Sequence, residues 1–457
     1  MSGFLESELS GWGLYPRTSA RTYRPERMSR VGAILGSPAE PHWLARGLGR
    51  SYGDAALNQG GAVLLTQRLD CFLDFNLDSG ELVAEPGVSF DRIIELVLPR
   101  GWFLPVTPGT KFVTLGGAIA CDVHGKNHHQ DGSLGNHVQW LDLLLADGSE
   151  VRCSSHQNGD LFWATIGGMG LTGIILRACL NLKKVESAYI RVDYLRTRNL
   201  DETLRHLEEE DDQYTYSVAW VDCVAGGQKL GRGVLMRGNP CPLIGLPKNV
   251  ANAPLLVKNR ALASIPFHLP SGLLNRHSCR LMNAVYYRRF KQGHSSALEH
   301  YDPYFYPLDM LENWNRGYGK RGFLQHQCVL PDNDPTEGLR KILEAISQSH
   351  FGSTLVVLKR FGGGNRFLSF PRPGYTLALD FPMSGPAMLD FLDSLDRIVM
   401  EAGGRIYLAK DARLKPEYCP PMYPQLADWL EIKQRVDPDN RFTSDLARRL
   451  GLLGAKP

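Results

Sequence analysis

Apolar and polar positions change period several times along the chain. Between residues 31 and 180 they fall into short runs divided by glycine-rich turns. Val31–Leu35, His42–Ala45, Ala62–Leu65, Leu82–Glu85, Leu141–Ala146, Glu150–Cys153 and Gly173–Leu180 read as strands, because each is a short apolar or β-branched run between turn-forming residues. Phe90–Pro99 reads as a helix: Phe90, Ile93, Ile94 and Val97 share one face, Ser89 can cap the start and Gly101 can close the end. Beyond Ala188 longer elements are predicted. They are strands over Ile190–Tyr194, Tyr216–Asp222, Gly322–Leu330, Thr354–Arg360 and Tyr375–Phe381, and helices over Leu200–Glu210, Thr336–His350, Ala387–Ala402 and Pro424–Arg435. Strands followed by covering helices imply an α+β fold in two domains. Residues 1–188 form the first, and 189–404 form an antiparallel-sheet domain. Residues 405–457 are expected to return to the first.

With 457 residues, 43% hydrophobic and 22% charged, the composition is that of a folded globular protein. The net charge of +3 excludes a nucleic-acid binder but conceals an asymmetry. Pro240–Ala297 holds Lys248, Lys258, Arg260, Arg276, Arg280, Arg288, Arg289 and Lys291 and no acid, which leaves 43 basic against 48 acidic residues elsewhere. Basic residues interleaved with Leu243-Ile, Leu255-Leu-Val, Leu273-Leu and Val285-Tyr-Tyr suit an anionic membrane surface; six prolines equally suit a mobile flap. The nine cysteines are odd in number and form no C-x-x-C pair, so reduced thiols are expected. The start of the chain does not read as a secretory signal, and no apolar run is long enough to span a bilayer. Cytoplasmic placement follows, with possible seating on the inner face of the plasma membrane.

The most informative string is Arg46-Gly-Leu-Gly-Arg-Ser-Tyr-Gly-Asp54. Its glycines allow backbone N–H groups to approach an anion, and Arg46 and Arg50 add charge, so a pyrophosphate would fit; a plain surface turn is the other reading. The spacing is neither the Rossmann fingerprint nor a P-loop. Further glycine-bearing strings follow at Pro108–Thr110, Thr114–Lys126 and Asp160–Ile174, which suggests backbone wrapped around an extended phosphate-bearing ligand.

Together with Arg321–Gln327, Asp380–Pro382 and Gly403–Asp411, these strings resemble the vanillyl-alcohol-oxidase (PCMH-type) FAD flavoproteins. Within them they are most similar to the branch that oxidises decaprenylphosphoryl-ribose. They run in order over most of the chain. The resemblance implies a PCMH-type FAD-binding domain with a substrate domain. It implies FAD contacts from Arg46, Gly47, Leu48, Gly49, Arg50, Ser51, Tyr52, Gly53 and Asp54, from Gly109, from Thr114, Leu115, Gly116 and Gly117, from Cys121, Asp122, Val123 and His124, and from Ile174 and Tyr407. The first loop offers Tyr52 and no histidine, so FAD is expected to be non-covalent. The implied reaction oxidises the 2'-hydroxyl of polyprenyl-phospho-β-D-ribose to the 2'-ketone. An NAD(P)H-dependent short-chain reductase would complete the epimerisation, and quinone or O₂ would take up the electrons. A soluble sugar, alditol or aldonolactone oxidase, or a flavin-fold binding protein, are the alternatives.

Lys410 is the candidate base, since a lysine in an apolar segment can be desolvated toward a useful pKa; a surface lysine paired with Asp411 is the bland alternative. Gln325 and Gln327 share one strand face and His326 takes the other. A glutamine can fix sugar hydroxyls as donor and acceptor. The resemblance adds His124 and Tyr52 to the catalytic set, and Lys126, Trp220, Lys359 and Phe361 to the substrate site. His124, His128, His129 and His137 with Lys126 do not make a metal motif, and no metal is expected. Ala378 stands where the actinobacterial relatives carry the cysteine that nitroaromatic inhibitors trap, so covalent trapping is not expected here.

Overall fold

The computed structural model describes residues 3–37, 40–258, 261–332 and 335–453. Arg260 of the basic stretch lies outside the described residues. β1 (Leu5–Ser10) and β2 (Arg17–Tyr23) form a hairpin. α1 (Val31–Leu35) leads to β3 (Trp43–Arg46), and β4 (Ala62–Leu65) runs parallel to β2 and β3 in a sheet ordered β1-β2-β4-β3. The strand expected over Val31–Leu35 is therefore a helix. Its apolar residues Val31, Ile34 and Leu35 are spaced i, i+3, i+4, which puts all three inward on a helix and not on a strand.

β5 (Phe72–Phe75) and β6 (Glu81–Ala84) begin a second sheet. α2 (Phe90–Val97) buries Phe90, Ile93, Ile94 and Val97, is capped by Ser89 accepting from the Arg92 amide, and gives way to a tight turn that Gly101 ends at φ 82°. β7 (Trp102–Phe103), α3 (Leu115–Ala120), α4 (His128–Asp131), β8 (Val138–Leu144), β9 (Glu150–Ser154), α5 (Gly159–Thr165) and β10 (Ile174–Asn181) follow. The sheet order is β5-β6-β10-β8-β9, antiparallel throughout, and β11 (Lys183–Lys184) pairs with β7.

The rest of the chain builds one eight-stranded antiparallel sheet. Its strands are β12 (Tyr189–Thr197), β13 (Tyr216–Val221) after α6 (Leu200–Glu209), and β14 (Gly233–Pro240). α7 (Lys248–Ala251), β15 (Ala263–Ser264) and α8 (Arg276–Arg289) occupy the basic stretch, and β16 (His294–His300) follows. Next come α9 (Tyr301–Phe305), β17 (Leu311–Glu312, paired with β15), β18 (Phe323–Pro331), α10 (Pro335–Gln348), β19 (Val356–Phe361), β20 (Gly374–Pro382), α11 (Pro386–Glu401) and β21 (Arg405–Ile406). The order is β16-β12-β14-β13-β19-β20-β18-β21.

Within the described part of 240–297, α7 and α8 are helical and α8 is tied to the sheet domain. Asn275 caps α8, and Arg276 donates to the carbonyls of Ile346, Ser347, Ser349 and Phe351 at the end of α10. Asn283 donates to Asp222 and to the Ser353 carbonyl. After β21, α12 (Cys419–Met422), α13 (Leu426–Val436) and α14 (Asp445–Leu450) pack on the first domain: the Trp429 indole donates to the Ala164 carbonyl, and the Trp43 amide to the Arg441 carbonyl. Among the described residues no helix is long and apolar enough to cross a membrane.

Candidate active site

The loop after β3 is fixed from beneath by protein. A Cβ on Gly47 would meet Thr114 Oγ1 at 2.1 Å, and one on Gly53 would meet the Asp411 carbonyl oxygen at 1.8 Å. Gly49 has φ +65°, and the Arg46 guanidinium fills the space under it, donating to the carbonyls of Ala56 and Ser10; burial lowers its pKa to about 10. Asp54 is paired with Arg449 at 2.8 Å. Arg50 lies over the Trp12 ring at 3.8 Å. Among the described residues the amides of Leu48, Gly49, Arg50 and Ser51 have no acceptor. Four successive amides without an acceptor, on residues that are not buried and beside Arg50, suit an anion.

The start of α3 differs. Its amides are already satisfied: Leu115 donates to Val88, Gly116 to Pro86 and Gly117 to the Thr114 hydroxyl. Gly116 lets this helix approach Pro86, whose Cβ would lie 2.7 Å from an added Cβ. Asp122 braces the following turn, accepting from Ser133, Asn365, Ser369 and the Gly135 amide. Val123 and Ile174 point into the core, Ile174 beside Trp43 and Leu144. Gly109 is open, with nothing within 4 Å of an added Cβ. The loop amides and this open edge fit a pyrophosphate-bearing dinucleotide, so the residues present fit FAD.

The eight-stranded sheet supplies the other wall. Residues directly opposite in antiparallel strands share a face. The pairs Trp220↔Val357, Val357↔Ala378 and Ala378↔Gln327 place these four in one cross-strand row, with Lys359↔Thr376 and Asp380↔Gln325 on either side. His326, on the opposite face, bonds Asp396 of α11 at 3.1 Å. The predicted alternation on β18 is thus observed.

Gln327 donates from Nε2 to His124 Nε2 at 3.0 Å and to Thr376 Oγ1 at 3.3 Å. Burial, reinforced by Lys359, holds the His124 pKa well below its ordinary value, so the ring is neutral. With Nε2 accepting, the proton sits on Nδ1, which has no partner among the described residues. His124 packs against Phe361, Tyr407 and Phe370, and the Tyr407 hydroxyl donates to the Cys121 carbonyl at 2.8 Å.

Three lysines converge here. Burial lowers the pKa of Lys126 to about 7 and of Lys359 to about 8, and it lowers Lys410 against the opposing pull of Asp380. Lys126 donates to the Tyr304 carbonyl. Lys410 stands over the Tyr52 ring, 3.5 Å from its centroid. Asp411, by contrast, faces Arg449 at 2.8 Å, so the surface Lys410–Asp411 pair is not formed. Trp220 is buried against Tyr286 of α8, and its indole donates to the Thr354 carbonyl.

Sequence reasoning missed the role of Asp380. It is fully buried, accepts from Gln325 Nε2 at 2.5 Å, and keeps Oδ2 without a partner among the described residues; burial raises its pKa. The available signal was a carboxylate in phase with Thr376 and Ala378 on an otherwise apolar strand.

A loop of acceptor-free amides facing a sheet that carries neutral-range lysines, a neutral histidine and paired glutamines defines a two-domain PCMH-type FAD-dependent oxidoreductase. Family comparison agrees: residues 22–154 match the FAD binding domain, and residues 330–450 match the D-arabinono-1,4-lactone oxidase family. The chain is 42% identical over 455 residues to decaprenylphosphoryl-beta-D-ribose oxidase of Mycolicibacterium smegmatis, covering 97% of each protein. It therefore belongs to the decaprenylphosphoryl-beta-D-ribose oxidase family. A Streptomyces coelicolor protein named only for lying in the mprA 5'region is 36% identical over 80% of this chain and 100% of its own length. Human Delta(24)-sterol reductase is 31% identical over 117 residues, 26% of this chain and 22% of the reductase.

Proposed function

We propose that the protein oxidises the 2'-hydroxyl of a polyprenyl-phospho-β-D-ribose, the decaprenyl form included, to the 2'-ketone. The observation that carries this reading is the convergence of Lys410, Lys126 and Lys359 around the Gln327–His124 pair. A base and hydroxyl-fixing groups thereby adjoin cations suited to a phosphodiester. Neutral Lys410 accepts the hydroxyl proton, and Asp380 stabilises the ammonium that results. Gln325 and Gln327 hold the sugar hydroxyls, and Lys126 and Lys359 face the phosphate. Tyr52 screens the base from water by covering it with its ring. FAD, which loop 46–54 would hold, would supply the hydride-accepting redox chemistry at the carbinol carbon.

Non-covalent FAD is supported by the absence of histidine from loop 46–54 and by Cys121, whose thiol burial pushes up to about 11 and so keeps protonated. A short-chain NAD(P)H-dependent reductase would reduce the ketone to the arabinose epimer, and quinone or O₂ would take up the electrons. Exposed Leu281, Met282 and Val285 on α8, flanked by Arg280, Arg288 and Arg289, suit peripheral seating on an anionic membrane, on its cytoplasmic face.

The test is anaerobic bleaching of the purified flavoprotein. Polyprenyl-phospho-ribose should bleach it far faster than free ribose, alditols or aldonolactones, and Lys410→Ala should abolish the difference. Equal bleaching by free sugars would refute the substrate assignment. Flavin that stays with the protein after acid precipitation would refute non-covalent attachment.

A further inference from the structure

Away from the active-site residues, a basic groove of about 700 Å³ opens between the end of β12, residues 228–232 and α8, whose Arg288 also flanks the exposed apolar face of that helix. A smaller hollow of about 440 Å³ shares Lys229 and Arg232 with it. Six cations line the two: Arg196, Arg198, Lys229, Arg232, Arg280 and Arg288. Two carboxylates answer them, Asp222 on Arg232 at 2.7 Å and Glu202 on Arg198 at 3.1 Å. Lys229, Arg280 and Arg288 have no acidic partner among the described residues. Arg196 donates one bond, to the Phe290 carbonyl, and its Nε is buried without an acceptor.

The floor is rigid. The Tyr287 ring lies between protein groups, with the Arg196 guanidinium 4.3 Å and that of Arg232 4.7 Å from its centroid, and its hydroxyl donates to the Thr197 carbonyl. The pairs Arg196↔Val234, Val234↔Trp220, Trp220↔Val357, Val357↔Ala378 and Ala378↔Gln327 form one row across the sheet. Five strand spacings put the groove about 24 Å from Gln327. It is therefore a place apart from the active site, on the same face.

We propose that this groove binds a phosphate-bearing anion. Unbalanced cations held around a fixed aromatic floor repel one another, and a multiply charged oxyanion offsets that repulsion. The anion is either a soluble polyphosphate or the phosphate headgroup of an anionic lipid met by α8.

The probe is inorganic tripolyphosphate, titrated calorimetrically into the FAD-loaded protein. Saturable binding that weakens with added salt is expected. Lys229→Glu/Arg280→Glu/Arg288→Glu, all at exposed positions, should weaken it at least about tenfold while leaving flavin content unchanged, and Arg288→Ala alone should give a smaller loss in the same direction. Lys359→Met should leave it intact. No binding by the wild type, unchanged affinity in the triple variant, or loss in Lys359→Met instead would overturn the proposal. Flotation with phosphatidylglycerol and phosphatidylcholine vesicles separates the sources. If the triple variant also loses phosphatidylglycerol vesicles, the ligand is a lipid headgroup; if it keeps them, the ligand is a soluble anion.

Discussion

Asp380→Asn isolates the electrostatic part of the proposed chemistry. The substitution keeps an oxygen for Gln325 and leaves the Asp380 amide bonded to Ser353 Oγ, so the geometry of β20 is retained. What it removes is a buried negative charge beside Lys410. The two groups interact without forming an ion pair within 4.0 Å. An opposite charge this near moves a pKa by about 1–3 units, equivalent to roughly 1–4 kcal/mol. The sign follows from the base being the neutral amine. Asp380 favours the ammonium, so its loss favours the amine, and the acid limb of the bleaching rate moves to lower pH. The acid limb of the variant should lie about 1–3 pH units below that of the wild type. Stopped-flow bleaching with saturating lipid substrate between about pH 5 and pH 9 measures both. Superimposable profiles, or a shift to the alkaline side, would refute the pairing of Lys410 with Asp380. Lys410→Ala should slow the same step by about 10²–10⁴-fold.

Three further outcomes are expected. Gly53→Ala forces a methyl to within 1.8 Å of the Asp411 carbonyl oxygen, so the loop must lift and the purified protein should carry little flavin, read from its visible absorbance. Lys359→Met should be more stable than wild type at pH 7 by roughly 1–2 kcal/mol in flavin-free denaturant titrations. The folded lysine titrates at about 8 and an unfolded one near 10.5, so the penalty it carries is full below about 8 and fades as pH rises to 10.5; the advantage of the variant should shrink over that window. Arg276→Ala removes four carbonyl bonds that tie α8 to the end of α10, so limited proteolysis should cut within 240–297 faster than in the wild type while the first domain keeps its flavin.

The parts of this fold that could be read from the chain are those where one local rule acts alone. The Ser89 cap, the apolar stripe of α2 and the αL glycine after it all agree, and β18 shows its alternation through Gln325, His326 and Gln327. Val31–Leu35 misled because five residues satisfy both a strand run and a helical i, i+3, i+4 triplet, and tertiary burial chose the helix. α3 was invisible because Leu-Gly-Gly-Ala-Ile-Ala carries two poor helix formers whose value is close approach to Pro86 and to the Thr114 cap. α8 was obscured by its charge, since only Cys279, Asn283 and Tyr287 of its fourteen residues are buried. In the site, glycine spacing pointed to the loop 46–54, yet Gly47 and Gly53 answer to protein atoms there. Asp380 could be found only once the sheet register put it beside Gln325, because sequence separation conceals contacts across strands.

One consequence concerns how this enzyme can be divided or recombined. β21 is hydrogen-bonded into the substrate sheet, Ala409 accepts the Tyr52 amide of the cofactor loop, and Asp411 abuts Gly53; Lys410 lies on that short bridge. The candidate base thus belongs to neither half. An exchange of the cofactor-binding half with a relative would inherit a working active site only if residues 405–450 travelled with loop 46–54. A gene break placed between the two halves would divide the chemistry and cut across the hydrophobic core that both share.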